Sequence, residues 1–219
     1  MYEAAAPGFS APGVSPAGVL RVGGTEPESV VDGPGFRYVV FVQGCDFRCP
    51  GCHNRRLQSF EGGRPVTIEE LLGEIRENPL LDGITLSGGD PFTQAEPCAI
   101  LAEEVRALGL SVMTFTGYLW EDLYEAAGFG GGAGAFDGGA FGLEAGFGRT
   151  GWRRLIEATD ILADGPFIQA LRNIDLRFRG SSNQRLIDVR KSLVRGKAVT
   201  LPEILSADFS VGERALNAF

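Results

Sequence analysis

Short runs rich in β-branched and aromatic residues alternate with helical patterns through the middle of this chain, and that alternation narrows the fold more than any other feature. The runs at 38–42, 84–86, 111–116 and 161–163 read as strands, while 68–77, 99–108, 120–127 and 152–159 carry helical patterns. Such a rhythm predicts an α/β fold in which helices cover a parallel sheet. Too few strand-helix units are visible for a closed barrel of eight, so a partial (β/α) barrel with parallel strands is expected. Thr67, with Glu70 three residues on, supplies a capping box for the helix expected from Ile68.

Of the 219 residues, 44% are hydrophobic, enough for one compact domain with a real core and too few for two large ones. That domain is expected over residues 19–195. Residues 1–18, rich in Ala, Pro, Gly and Ser, read as a disordered extension. Residues 128–148 read as a glycine-rich surface insertion, because so many glycines make a regular element entropically costly. Residues 196–219 read as a tail without a chemical motif. Lys and Arg number 20 and Asp and Glu 28, a net charge of −8 that repels phosphate backbones and argues against a nucleic-acid partner. No apolar run approaches the roughly 18 residues needed to span a bilayer, and no basic stretch leads into an apolar one near residue 1. The expected location is cytoplasmic, with no membrane association.

Three of the four cysteines, Cys45, Cys49 and Cys52, crowd into eight residues, a pattern that speaks for metal rather than for a disulfide framework. They follow the strand at 38–42 directly, so their loop lies at a strand's C-terminal end, where barrel-type α/β folds build active sites. Three thiolates can bind three irons of a cubane while Pro50 and Gly51 let the loop wrap around it. The fourth iron then keeps an open position, as catalytic metal sites do. A structural zinc site of the three cysteines with His53, or a four-cysteine cluster that recruits Cys98, draws on the same residues. Zinc knuckles normally use two separated pairs of ligands, however, and no second pair exists here. Cys98, at the apparent start of a helix, reads as a small buried hydrophobe.

One strand-helix unit later comes Ser87-Gly88-Gly89-Asp90-Pro91-Phe92. Adjacent glycines at a strand end let a ligand approach the backbone closely, and Asp90 can accept a charge-assisted hydrogen bond from a ligand ammonium. The same residues also spell an ordinary turn before a helix.

Six blocks in this order resemble the radical S-adenosylmethionine superfamily, and within it the anaerobic ribonucleoside-triphosphate reductase activating proteins. They are Val31-Asp32-Gly33-Pro34-Gly35-Phe36-Arg37, the loop Cys45-x3-Cys49-x2-Cys52-His53-Asn54, and Leu86-Ser87-Gly88-Gly89-Asp90-Pro91. Thr116-Gly117-Tyr118-Leu119-Trp120-Glu121, Leu162-Ala163-Asp164-Gly165-Pro166-Phe167 and Arg179-Gly180-Ser181-Ser182-Asn183-Gln184-Arg185 follow. The first three look like glycyl-radical activases in general, and the last looks particular to the reductase activators.

The resemblance implies a fold of the radical S-adenosylmethionine type and a 4Fe-4S cluster on Cys45, Cys49 and Cys52. It implies S-adenosylmethionine on the open iron, with Gly51 and His53 flanking the adenine beside Cys52, and Gly88, Gly89 and Asp90 holding the methionine ammonium. Thr116, Gly117, Tyr118 and Asp164 are further strand-end candidates, and Arg37 either neutralises a ligand carboxylate or only begins its strand. The implied reaction is reductive cleavage of S-adenosylmethionine and removal of hydrogen from a glycine of a partner enzyme. That partner is expected to be the glycyl-radical subunit of anaerobic ribonucleotide reductase. Activation of another glycyl-radical enzyme, such as pyruvate formate-lyase, and a non-catalytic zinc module are the alternatives. No cysteines remain for further clusters, so an external electron donor such as flavodoxin or ferredoxin is expected.

Overall fold

The computed structural model describes residues 18–130 and 147–202. The expected N-terminal extension lies almost wholly outside the described residues, as does most of the glycine-rich insertion and the tail beyond residue 202. Seven strands, β1 (Val19–Ser29), β2 (Arg37–Val42), β3 (Arg64–Thr67), β4 (Gly83–Gly88), β5 (Ser111–Phe115), β6 (Ile161–Asp164) and β7 (Arg185–Asp188), form one sheet. Their order is β3-β1-β2-β4-β5-β6-β7. The main helices are α1 (Ile68–Glu77), α2 (Ala95–Ala107), α3 (Trp120–Ala126), α4 (Phe147–Ala158) and α5 (Val189–Arg195).

The four strands read from the sequence, β2, β4, β5 and β6, pair in parallel as expected. Strand β2 places Tyr38, Val39, Val40 and Val42 in the core, the near-continuous apolar run of a strand covered on both faces. The sheet as a whole is mixed, which corrects the expectation of parallel strands throughout. β1 pairs antiparallel with both β2 and β3, and β7 pairs antiparallel with β6. The cause at the first edge is loop length: only residues 30–36 join β1 to β2, too few for a parallel crossover. Gly33 and Gly35 make that reversal at φ 151° and 76°. With β3 and β7 as its edges, the sheet is open.

Helix starts follow their local chemistry. Thr67 and Glu70 form the expected reciprocal capping box, and α1 buries Ile68, Leu71, Leu72 and Ile75 on one face. Asp188 caps α5 by accepting the Lys191 amide at 2.9 Å, and Gly196, at φ 65°, ends it. Beyond that helix the chain returns to the sheet edge, where Asp188 N donates to Val199 O and Leu201 N to Leu186 O. Among the described residues no helix is long and apolar enough to cross a membrane.

Arg37 begins β2, and its side chain is only 1% exposed. Its guanidinium donates to Thr85 Oγ1 at 3.1 Å, Ser111 Oγ at 2.6 Å and Pro34 O at 3.3 Å, and also to Ile84 O. Burial pulls its pKa down to about 10, so it stays charged at neutral pH. These bonds strap together the N-terminal ends of β2, β4 and β5, the edge opposite the cysteine loop.

Candidate iron-sulfur and cofactor site

Parallel pairing brings the C-terminal ends of β2, β4, β5 and β6 to one edge, and the loops that leave them meet there. The cysteine loop follows β2. Its start is fixed by Gly44 N to Leu57 O at 2.8 Å and Cys45 N to Gln58 O at 3.2 Å, and Cys52 N donates to Cys49 O at 3.2 Å. Buried Gln43 ties down the far side of the loop by donating to Arg56 O at 3.0 Å and Ser59 O at 2.6 Å. All three thiols are free; Cys45 is buried, and Cys49 and Cys52 are half-buried. Gly51 and His53 are exposed beside them.

The double glycine after β4 lies directly against this loop. Gly89 N donates to Val42 O and Asp90 N to Gly44 O, both at 2.8 Å. A Cβ on Gly89 would stand 2.0 Å from Gly44 O, so no side chain fits. Gly88 sits at φ 102°, and its carbonyl accepts a long bond from Asn54 Nδ2 at 3.4 Å. Both glycines remain partly exposed, whereas Asp90 is 1% exposed.

The Asp90 carboxylate, read from the sequence as an acceptor for a ligand ammonium, is buried against the loop that leaves β5. It accepts from Phe92 N at 3.0 Å, Thr116 Oγ1 at 3.0 Å and Gly117 N at 2.8 Å. The turn cap read from the sequence is present as the Phe92 bond, and the loop after β5 supplies two further donors. Burial outweighs those donors and raises the Asp90 pKa to about 7. Thr116 and Gly117 therefore serve Asp90, and Tyr118 Oη donates to Asp46 Oδ2 at 3.1 Å while its ring meets Phe47 edge-on at 4.9 Å. Asp164, at the end of β6, is likewise committed: it accepts Trp120 N at 2.8 Å and Arg185 Nε at 3.0 Å.

The loop after β6 closes the ring of contacts. A Cβ on Gly51 would stand 2.8 Å from the Gln169 side chain, so this loop lies directly against the cysteine loop.

Burial pushes the Cys45 thiol up to about 12, with the neighbouring Asp90 charge adding to it, and burial raises Cys49 as well. Thiolates bind metal and thiols do not, so these positions favour ligation only when cationic iron offsets the cost of the buried charge. Among the described residues no three His, Cys, Asp or Glu side chains converge as they would on one metal ion. A structural zinc needs all its donors within about 2.0–2.3 Å of a single point. A cubane takes one thiolate at each of three separate irons, a demand that three cysteines of one loop can meet. Cys98, fully buried in α2, is held as a core residue.

The fold and this cysteine site place the chain in a known class: it belongs to the 4Fe-4S single cluster domain family, whose model matches residues 31–187. The chain is 30% identical over 166 residues to the anaerobic ribonucleoside-triphosphate reductase-activating protein of Escherichia coli (strain K12), covering 72% of this chain and 92% of that relative. The Vibrio cholerae protein of the same name is 29% identical over 166 residues, 72% of this chain and 91% of its own. A pyruvate formate-lyase-activating enzyme of Clostridium pasteurianum is 44% identical over 81 residues, only 35% of this chain and 34% of its own. The resemblance to radical S-adenosylmethionine activases drawn from the motifs is thus shown.

Sequence reasoning passed over Gln43, Asp46 and Gln94, whose side chains set the shape of the cysteine loop and its surroundings. Gln94 donates to both Gln43 O and Arg21 O at 2.8 Å. A glutamine directly before Gly44-Cys45 was visible, but its partners are backbone carbonyls that no spacing rule reveals.

Proposed function

We propose that this chain is a radical S-adenosylmethionine activase that holds a 4Fe-4S cluster on Cys45, Cys49 and Cys52 and forms a glycyl radical on anaerobic ribonucleoside-triphosphate reductase. The observation that carries this reading is the set of three free thiols at the C-terminal edge of the parallel strands, beside a backbone edge with no room for a side chain, in a chain of the 4Fe-4S single cluster domain family. Cys45, Cys49 and Cys52 would hold the cluster, which with S-adenosylmethionine and one external electron would supply the radical chemistry needed to remove hydrogen from a glycine Cα of the partner.

The chain's own residues bind and orient. Gly88 and Gly89 offer main-chain groups to the methionine end of the ligand, and Gly51 and His53 border its adenine. Asp90 acts one step back: its bonds to Phe92, Thr116 and Gly117 fix the double-glycine edge on which the ligand rests. The open sheet is read as a partial barrel whose mouth admits the partner. The reductase is preferred over pyruvate formate-lyase because the similarity to reductase activators spans nearly their whole length. Electrons come from an external flavodoxin or ferredoxin, and the setting is cytoplasmic.

The test is anaerobic reconstitution followed by mixing with the reductase. About four irons with matching sulfide, cleavage of S-adenosylmethionine under dithionite, and a glycyl-radical doublet in the electron paramagnetic resonance spectrum are expected. Stable zinc binding without cleavage would overturn the reading. A doublet formed on pyruvate formate-lyase but not on the reductase would reassign the partner.

A further inference from the structure

We infer that the loop joining β6 to β7, together with the arginines of the cysteine loop, is the docking surface for an acidic segment of the glycyl-radical partner. The inference rests on the activase reading above and adds where and by what chemistry the partner is recognised.

Two independent observations meet at this surface. The first is charge. Residues 44–60 and 165–184 together hold six arginines against two aspartates, a net of +4, in a chain whose net is −8. Away from the mouth, Arg76, Arg106, Arg153 and Arg154 are each bonded to a carboxylate, while the exposed Arg64 and Arg195 stand singly, apart from any such group of arginines. Arg48, Arg55, Arg56 and Arg172 are exposed, and none of the ion pairs among the described residues includes them. An acidic protein that groups Arg48, Arg55, Arg56 and Arg172 outside its ion pairs presents there a local field complementary to an acidic partner.

The second is apolar exposure. Residues 168–175 are an unbroken exposed run in which Ile168 is 41% exposed, Leu171 42% and Ile174 82%. Apolar side chains interleaved with arginine are the composition of a protein interface rather than of ordinary surface. The run is held in place from beneath, because Ile168 N donates to Ser181 Oγ at 3.2 Å and Ser182 N to Leu171 O at 2.9 Å. Gln169 packs at Gly51, so this platform adjoins the cysteine loop. A partner that presents a glycine to the cofactor must come within van der Waals reach of the site and so must cross this platform. An electron donor need only approach it.

The test is the double variant Arg172→Glu/Ile174→Asp, with Arg195→Glu on α5 as a control for net charge. Dithionite replaces any protein donor, and anaerobic ribonucleoside-triphosphate reductase from the same organism is the partner. Iron content and partner-free cleavage of S-adenosylmethionine should match the unaltered protein. The glycyl-radical yield should fall roughly tenfold in the double variant, and the decline of yield with added salt should flatten. The control should change the yield by less than about twofold.

An unaltered yield and salt dependence in the double variant would overturn the proposal, as would a loss that appears only when a flavodoxin supplies the electrons. Absence of partner-free cleavage in the unaltered protein sinks the activase reading and this proposal with it. Normal cleavage with a radical yield insensitive to the variant sinks this proposal alone.

Discussion

Asp90 Oδ2 accepts the Gly117 amide at 2.8 Å, so the carboxylate that follows the double glycine of β4 fastens the loop that leaves β5. The Asp90 amide in turn donates to Gly44 O, one residue before the first cysteine. One residue therefore couples three loops, and any displacement of the β5 loop is passed to the cysteine loop through the Asp90 side chain and amide.

Asp90 should also give stability a pH signature. Its folded pKa, raised by burial to about 7, exceeds the unfolded carboxyl value of about 3.9, so the folded chain binds the proton more tightly. The resulting contribution is fully present below about pH 4 and is lost as the pH rises through about 7. Asp90→Asn removes the titration. In urea unfolding of the reduced apo chain, the stability of the unaltered protein relative to Asp90→Asn should decline across this window by a few kcal/mol at most. A difference that stays flat with pH would mean that burial does not govern this carboxyl.

Two glycine substitutions should move stability in opposite directions. Gly89→Ala would force a methyl to within 2.0 Å of Gly44 O, and because both sides are backbone, the cysteine loop must shift. A loss of roughly 3 kcal/mol and a fall in iron content are expected. Gly73 in α1 has nothing within 4 Å of a built Cβ, and Gly73→Ala should stabilise by about 0.5–1 kcal/mol through helix propensity. Thermal melts and iron assays on the two variants check both.

The cysteines should divide three to one. Cys49→Ala should prevent a stable cluster and abolish cleavage of S-adenosylmethionine. Cys98, fully buried, has its thiol pKa pushed up by burial, and Cys98→Ala should cost about 1 kcal/mol of packing while leaving iron nearly unchanged. Iron and sulfide content after anaerobic reconstitution distinguishes the two, and iron loss in the Cys98 variant would contradict the ligand assignment.

The centre of the sheet was legible because Tyr38, Val39, Val40 and Val42 form a short apolar run that only a covered strand explains. Its edges were not. β1, which beyond Val22 pairs with β2 alone, mixes Gly23 and Gly24 with Thr25, Glu26 and Pro27, and the edge strand β3 contains Pro65, residues an open strand side tolerates and a strand-reading rule discounts. At the site, Cys45, Cys49 and Cys52 stand out by spacing, since a metal would need several donors close together. The direction in which Asp90 points did not, because its donors, Thr116 and Gly117, arrive from a different loop through tertiary packing. The same holds for Arg37, whose partners are carbonyls and hydroxyls of neighbouring strands.

Arg37 provides the last prediction, and it separates a strap from a ligand. Its partners lie at the N-terminal ends of β4 and β5, where Arg37 pairs with Gly83 and Gly83 with Ser111. The cysteine loop leaves β2 after Val42, five residues on, or about 16 Å along an extended strand. Arg37→Ala should destabilise the chain by roughly 3 kcal/mol or more, since buried carbonyl and hydroxyl groups lose a charged donor. Arg37→Met, which restores much of the packed volume, should recover part of that loss. Because the guanidinium is at the far edge, whatever Arg37→Met protein folds should bind iron and cleave S-adenosylmethionine at the normal rate per cluster. A folded variant with full iron but a raised KM for S-adenosylmethionine would instead place the guanidinium in contact with the ligand carboxylate, which the strand register does not allow.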